Sequence, residues 1–430
     1  MRRMATPPTS TLLVVLALLS SSPWHIPAVA AASNDWGVPV SWGLEDDPDA
    51  RVGIHDIALA AVDRNALLSQ DDAYAIGADA NNTKPPLRWG VSPDVSDFAG
   101  ASMRHAGNWT RLSDTEHIWR LRFTSPGALS QQLIFSTLWI PAGSGVYIYA
   151  DGAQATGACD ASAASGCFHL SAADTRVNER FTSPIVPGSA LTLEFYTNTA
   201  THPTTVVPRI HVARVVQGFR DVIPTAQTHA KDAGSAGVAA SAEASAACNN
   251  DATCPLVDAS WRAAKQSVVQ IVSEGGGAAG PYASVCTGTL LNTPDRKPYV
   301  LSAYHCLEGE SVEDWAFVFN YERPCEGGGG GEGGEGGGGR RDFLNGARLV
   351  WADMGSDVIL LELDQDVPVS FDAYYAGWSA LEAAWRGDPY AIAFHHPVGD
   401  YKKVSIDRHD KGEMGCPFCD GGDDSHVKVC

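Results

Sequence analysis

Ten cysteines are spread unevenly along the 430 residues, and their placement limits the folds open to this chain more than any other feature. Only Cys159 and Cys167 precede residue 240, whereas Cys248, Cys254, Cys286, Cys306, Cys325, Cys416, Cys419 and Cys430 follow it. A chain so divided reads as two regions, of which the second is built around covalent bridges. Between them runs PTAQTHAKDAGSAGVAASAEASAA (Pro224 to Ala247), which is rich in Ala, Ser and Gly and has no aromatic residue. Such a stretch cannot bury a core, and it reads as a flexible linker.

The extreme N-terminus points to a compartment where bridges form. Arg2 and Arg3 precede the apolar run TLLVVLALL (Thr11 to Leu19), and small residues follow from Ala28. This order is that of a secretory signal peptide, with cleavage expected after Ala30 or Ala32. The apolar run is well short of the roughly 20 residues that a spanning helix needs. The chain is therefore expected to be exported, secreted and extracellular, with no membrane partner. Asn81 and Asn108 lie in glycosylation sequons, which fit such a route. A net charge of −20 argues against nucleic acid or an anionic membrane as a partner.

The region before the linker alternates as strands do. In IWRLRF, Trp119, Leu121 and Phe123 share one face while Arg120 and Arg122 share the other, the period of a half-buried strand. Similar runs at Gln131–Ile140, Gly145–Ala150, Ala190–Thr197 and Arg209–Phe219 are separated by Pro and Gly turns. This spacing predicts an antiparallel sandwich with little helix. No cluster of acids, histidines and nucleophiles occurs there, and His117 and His211 read as ordinary strand histidines.

Past the linker the residues carry a chemistry. The sequence CTGTLLNTPDRKPYVLSAYHC runs from Cys286 to Cys306 and sets His305 directly before a cysteine. A histidine acting as general base must be held rigidly, with a buried carboxylate on its other nitrogen. A bridge from Cys306 to Cys286 would tie the loop bearing His305 to the preceding strand. The carboxylate candidate is Asp357, at the head of the apolar run Val358 to Leu361 in GSDVILLEL. Asp366 and Asp372 lie on turn-like segments and read as solvated.

These segments resemble those of the lysyl endopeptidases, secreted trypsin-like serine proteases of the chymotrypsin fold. CTGTLLNTPDRKPYVLSAYHC resembles the segment of the catalytic histidine and GSDVILLEL that of the catalytic aspartate. FNYERPC resembles the segment that ends in a disulfide cysteine, and AIAFHHPVGDYKKVSI the strand with paired histidines. The likeness runs from about Cys248 to about Ile406. Upstream, IWRLRF, PGALSQQLIF and RFTSPIVPGSALTLEFY resemble the β-rich propeptide of the same proteases. The resemblance implies that Cys254 pairs with Cys325 and Cys286 with Cys306, and that Cys248 pairs near the family's C-terminus.

The pattern departs at its end. The family's order is His, Asp, Ser, with the serine in a Gly-Ser-Gly type of turn, and no such turn follows Asp357. Ser425 in GGDDSHV is followed by His426 where a glycine is required, and Ser356, Ser370, Ser379 and Ser405 are less suited. No nucleophile is identified, and the second barrel is expected to be incomplete. Cys416, Cys419, His426 and Cys430 have spacing that zinc could use, but a disulfide is the plainer reading in an exported chain. The glycine tract of residues 327–339 lacks a phosphate-loop ending and reads as an expanded surface loop. His395 and His396 are adjacent on a strand, point to opposite faces and do not suit one shared metal.

The expected fold is all-β, a β-sandwich-like prodomain followed by an incomplete chymotrypsin-type double β-barrel. The expected segments are a signal peptide over 1–32, a propeptide over 33–223, a linker over 224–247, a trypsin-like domain over 248–408 and a divergent tail over 409–430. The expected function is secreted serine-type endopeptidase chemistry on protein or peptide substrates. His305 would be the base and Asp357 its orienter, with no metal and no cofactor, in a monomer that is inactive for want of a serine. Lys231 is the sole basic residue of the linker and the expected processing site. The alternative is a non-catalytic, protease-like secreted binding protein.

Overall fold

The computed structural model describes residues 37–408 apart from 45–53, 81–86, 96–101, 157–158, 160–165, 177, 201–207, 221, 223–249, 255–260, 262, 278–279, 308–310, 324, 326–341 and 380–389. Lys231, Asn81, Cys248, the glycine tract and the tail with Ser425, Cys416, Cys419, His426 and Cys430 therefore lie outside the described residues. No helix among those described is long and apolar enough to cross a membrane.

The structure is all-β in character, as the alternation implies. A first sheet runs in the order His55–Ala58, Glu116–Thr124, Ala190–Asn198, Gly145–Ala150 and Cys167–Leu170, with Asn108–Arg111 added beside Glu116–Thr124. Trp119, Leu121, Phe123, Leu193 and Phe195 are fully buried between this sheet and the strands Ser130–Trp139 and Arg209–Gly218. Cys159 is bonded to Cys167 within the region.

Two features of this region differ from the sequence reading. Arg64–Ala80 is a 17-residue helix, started by Asp63, whose carboxylate accepts from the Ala66 amide at 3.0 Å. Arg120, expected on a solvated face, is only 6% exposed. Its cross-strand partner is Glu194, whose carboxylate accepts from the Ser41 amide at 3.2 Å and from the Tyr149 hydroxyl at 3.2 Å. The turn Val40–Leu44 thus lies over the face that alternation assigned to water. Burial pushes the Glu194 carboxyl upward.

The second region builds a nearly closed barrel. The hairpin of Val268–Gly277 and Gly280–Leu291 pairs on one side with Ala316–Phe319, which continues to Asp342–Asn345. On the other side it pairs with Tyr299–Ser302, then Val358–Leu363, then Ala347–Asp353. Ile271, Leu290, Val300, Trp315, Phe317, Ile359 and Leu361 fill the interior. Val358–Leu363 is buried at every second residue, so it is half-buried and not wholly enclosed.

The two regions share a sheet. Leu87–Val91 pairs with Arg209–Gly218 on one edge and with Tyr282–Val285 of the barrel hairpin on the other. Trp89 and Val216 from one region pack with Val272, Ala283 and Val285 from the other. Gly90 lies on this shared strand, and a Cβ there would stand 2.5 Å from Val216 Cγ1.

Candidate active site

His305 and Asp357 meet because of strand register. Ser302 pairs with Ile359 in the antiparallel ladder, so two further residues on each strand bring Asp357 level with Tyr304 and beside His305. The chain turns at this point: Tyr304–Cys306 is a short 3-10 turn, and Asp357 adopts a left-handed φ of 51°. Asp353 shapes the approach by accepting from the Ser356 amide at 2.8 Å and its hydroxyl at 2.6 Å. Those hydrogen bonds hold the Asp353 carboxyl below its usual range.

Asp357 then accepts twice from one residue. Its Oδ1 receives the His305 amide at 2.8 Å, and its Oδ2 lies 2.8 Å from His305 Nδ1. With Nδ1 donating, the Nε2 lone pair is turned away from Asp357 and can accept a proton. Both side chains are about one-third exposed, so the pair lies at the surface of the barrel and not in its core.

Covalent and polar bonds fix the mount. Cys286 is bonded to Cys306, which joins the strand Gly280–Leu291 to the turn of His305. The Ser302 hydroxyl donates to the Thr287 carbonyl at 2.8 Å across the same junction. Cys286, His305 and Cys306 bring their ligand atoms close together, but both sulfurs are taken up by the bridge and cannot hold a metal. Cys254 is bonded to Cys325.

His395 and His396 find separate partners. His395 Nε2 lies 2.9 Å from the Ser405 hydroxyl, and burial pushes its imidazole pKa down. His396 places Nδ1 3.0 Å from the Asp400 carbonyl, and its ring stacks on Tyr321. Its amide donates to Thr287 Oγ1 at 3.0 Å, which ties the small sheet of Asn250–Asp251, Lys403–Arg408 and Tyr390–His395 to the strand carrying Cys286. Lys402 is fully buried and bonded to Glu322, while Lys403 bonds to Asp251 at 2.6 Å. Two adjacent buried lysines escaped the sequence reading, since only the tertiary structure brings acids to them.

The remaining candidates are dispersed. Ser356 is engaged with Asp353 and Ser405 with His395, and among the described residues no serine hydroxyl bonds to His305. Asn108 is exposed on an edge strand.

Comparison with known proteins finds two domain families in this chain. The lysyl endopeptidase N-terminal domain family matches residues 58–215, and the lysyl endopeptidase C-terminal domain family matches residues 242–428. The second match runs beyond Ile406, where the motif likeness stopped. A lysyl endopeptidase of Pseudomonas aeruginosa is 29% identical over 253 residues, which are 57% of this chain and 49% of that protein. The chain thus spans about half the length of this relative. With both domain families matched in order and an all-β structure that pairs His305 with Asp357, the chain is lysyl endopeptidase-like.

Proposed function

We propose that the chain is the secreted precursor of a serine endopeptidase directed at lysyl bonds. A signal peptide over 1–32, a prodomain over 33–223 and a linker cut at Lys231 would precede the protease domain. The observation that carries the reading is the double acceptance by Asp357 from His305. His305 is the general base, taking the proton of a serine hydroxyl as that oxygen attacks the substrate carbonyl, and then giving it to the leaving amine. Asp357 holds the tautomer and offsets the charge of the imidazolium. Cys286–Cys306 restrains the turn, since a base displaced by about 1 Å can lose on the order of 100-fold in rate.

No described serine bonds to His305, and this favours silence of the 430 residues taken alone. A fluorophosphonate probe tests that directly: the purified chain should remain unlabelled. Labelling at Ser425 would restore it as nucleophile. Joined to a downstream segment that bears a Gly-Ser-Gly turn, the chain should cleave peptides after lysine, and His305→Ala should abolish the cleavage. Cleavage undiminished by His305→Ala overturns the reading. No cleavage by a folded, completed chain would favour the protease-like binding protein.

A further inference from the structure

Two arginines of the N-terminal region enter the barrel region side by side. Arg176 has a side chain only 4% exposed, pairs with Asp364 and donates from Nη1 to the Glu313 carbonyl at 3.2 Å. Arg180 grips Asp314 with two nitrogens, Nε lying 2.7 Å from Oδ1 and Nη2 pairing with Oδ2. Thr182 completes the contact, its hydroxyl donating to the Asp314 carbonyl at 2.6 Å and its amide to Asn345 Oδ1 at 2.8 Å. A planar fork such as that of Arg180 on Asp314 is specific to guanidinium, since a lysine ammonium offers no such pair of parallel donors.

The barrel builds its side of the contact from its own backbone. Ser311 caps the short turn Val312–Asp314, the Gly346 amide donates to the Trp315 carbonyl at 2.7 Å, and the Asp364 amide to the Gly346 carbonyl at 3.1 Å. Gly346 has φ of 76°, and a Cβ there would overlap the Arg176 guanidinium. The absence of a side chain at Gly346 thus leaves room for the flat guanidinium. The Asp314 side chain is only 10% exposed, so its carboxylate would lose its paired charge if Arg180 left.

We infer that Asp314, Asp364, Asn345 and the Glu313 carbonyl form a guanidinium-binding site on the barrel, filled here by Arg176 and Arg180 of the same chain. The site is distinct from the His305–Asp357 pair. Asp364 follows the strand Val358–Leu363 and Asp357 precedes it, a separation of roughly 20 Å along an extended strand. The site's ligand class is an arginine-bearing extended segment. Its consequence is that cutting the segment 224–247 does not free the N-terminal region, which stays seated through these arginines together with the shared strand Leu87–Val91.

An experiment on the full chain tests this without recourse to its own catalysis. A recognition sequence for an unrelated protease is inserted within residues 224–247, the chain is cut, and the rate at which the two fragments separate is followed by fluorescence after dilution. The native fragments should co-elute on size exclusion. Arg176→Ala with Arg180→Ala should separate at least about tenfold faster, since truncating one side of a buried charge pair acts on dissociation. Arg176→Lys with Arg180→Lys keeps the charge and, where the alanine variant fails to fold, carries the test: separation at least about threefold faster is expected, because the forked contact is lost. The free octapeptide RVNERFTS should hasten separation of native fragments, and the same peptide with both arginines replaced by citrulline should not. Native fragments that part on cutting, variants that separate at the native rate, or equal effects of the two peptides would each overturn the inference.

Discussion

Asp357 accepts both the backbone amide and the ring Nδ1 of His305, each at 2.8 Å, so one carboxylate sets the position of the residue and the orientation of its imidazole. The two residues are 52 positions apart in the chain, and strand register alone makes them neighbours.

Asp357→Asn should leave the amide bond to Oδ1 possible while turning the acceptor facing Nδ1 into a donor. The imidazole is then expected to move its proton to Nε2, visible in nitrogen shifts of a His-labelled chain. Under the proposed function, the same change should lower kcat of an active form by about 10⁴-fold, the cost of a wrong tautomer. An unchanged tautomer would show that Asp357 does not orient the base.

Removing the Cys286–Cys306 bridge as the paired Ser variant should destabilise the barrel. The bonded residues are 20 apart, and closing a loop of that order is worth about 3 kcal/mol in the unfolded-chain picture. Urea unfolding should show the loss, and hydrogen exchange should rise first around Tyr304–Cys306. Equal stability of the native and bridge-free chains would remove the disulfide from the mount.

Glu322 makes part of the stability depend on acid. Burial opposes its charge, but Lys402 and Lys265 together outweigh that and hold the carboxyl below its usual range. A depressed carboxyl contributes fully above its unfolded value of about 4.3 and loses that contribution as pH falls through the lower native value. Glu322→Gln should cost about 3 kcal/mol or more at pH 7, since it leaves buried lysine charge unpaired. Its thermal midpoint should also fall less steeply than the native one below pH 4. Parallel acid profiles for the two proteins would assign the acid loss to other groups.

Gly90→Ala tests the seam between the regions. The new methyl would stand 2.5 Å from Val216 Cγ1 and 3.2 Å from the Gln217 carbonyl, and Val216 is itself fully buried. A loss of about 1–3 kcal/mol is expected, as for overpacking elsewhere. If the regions unfold as one unit, a single melting transition should shift. Two transitions, with only the N-terminal one shifted, would mean that the shared strand does not couple them.

The sequence alone determined what depends on local pattern. IWRLRF, GVYIYA and ALTLEFYT fall within the strands Glu116–Thr124, Gly145–Ala150 and Ala190–Asn198, because alternation and β-branched or aromatic residues act over a few neighbours. His305 and Asp357 were candidates for another reason: His305 directly precedes Cys306, and Asp357 stands at the head of the apolar run Val358 to Leu361. The helix Arg64–Ala80 was not legible, since its large apolar residues are only Leu67, Leu68, Tyr74 and Ile76 and its cue was the capping Asp63. Tertiary structure decided the rest. The burial of Arg120 depends on Glu194 across the strand pair, that of Lys402 on Glu322, and that of Arg176 on Asp364, which is 188 residues away. Periodicity reports which face of an element is apolar, but a charge can be buried only where distant chain supplies its counter-charge, and that meeting is set by packing and register.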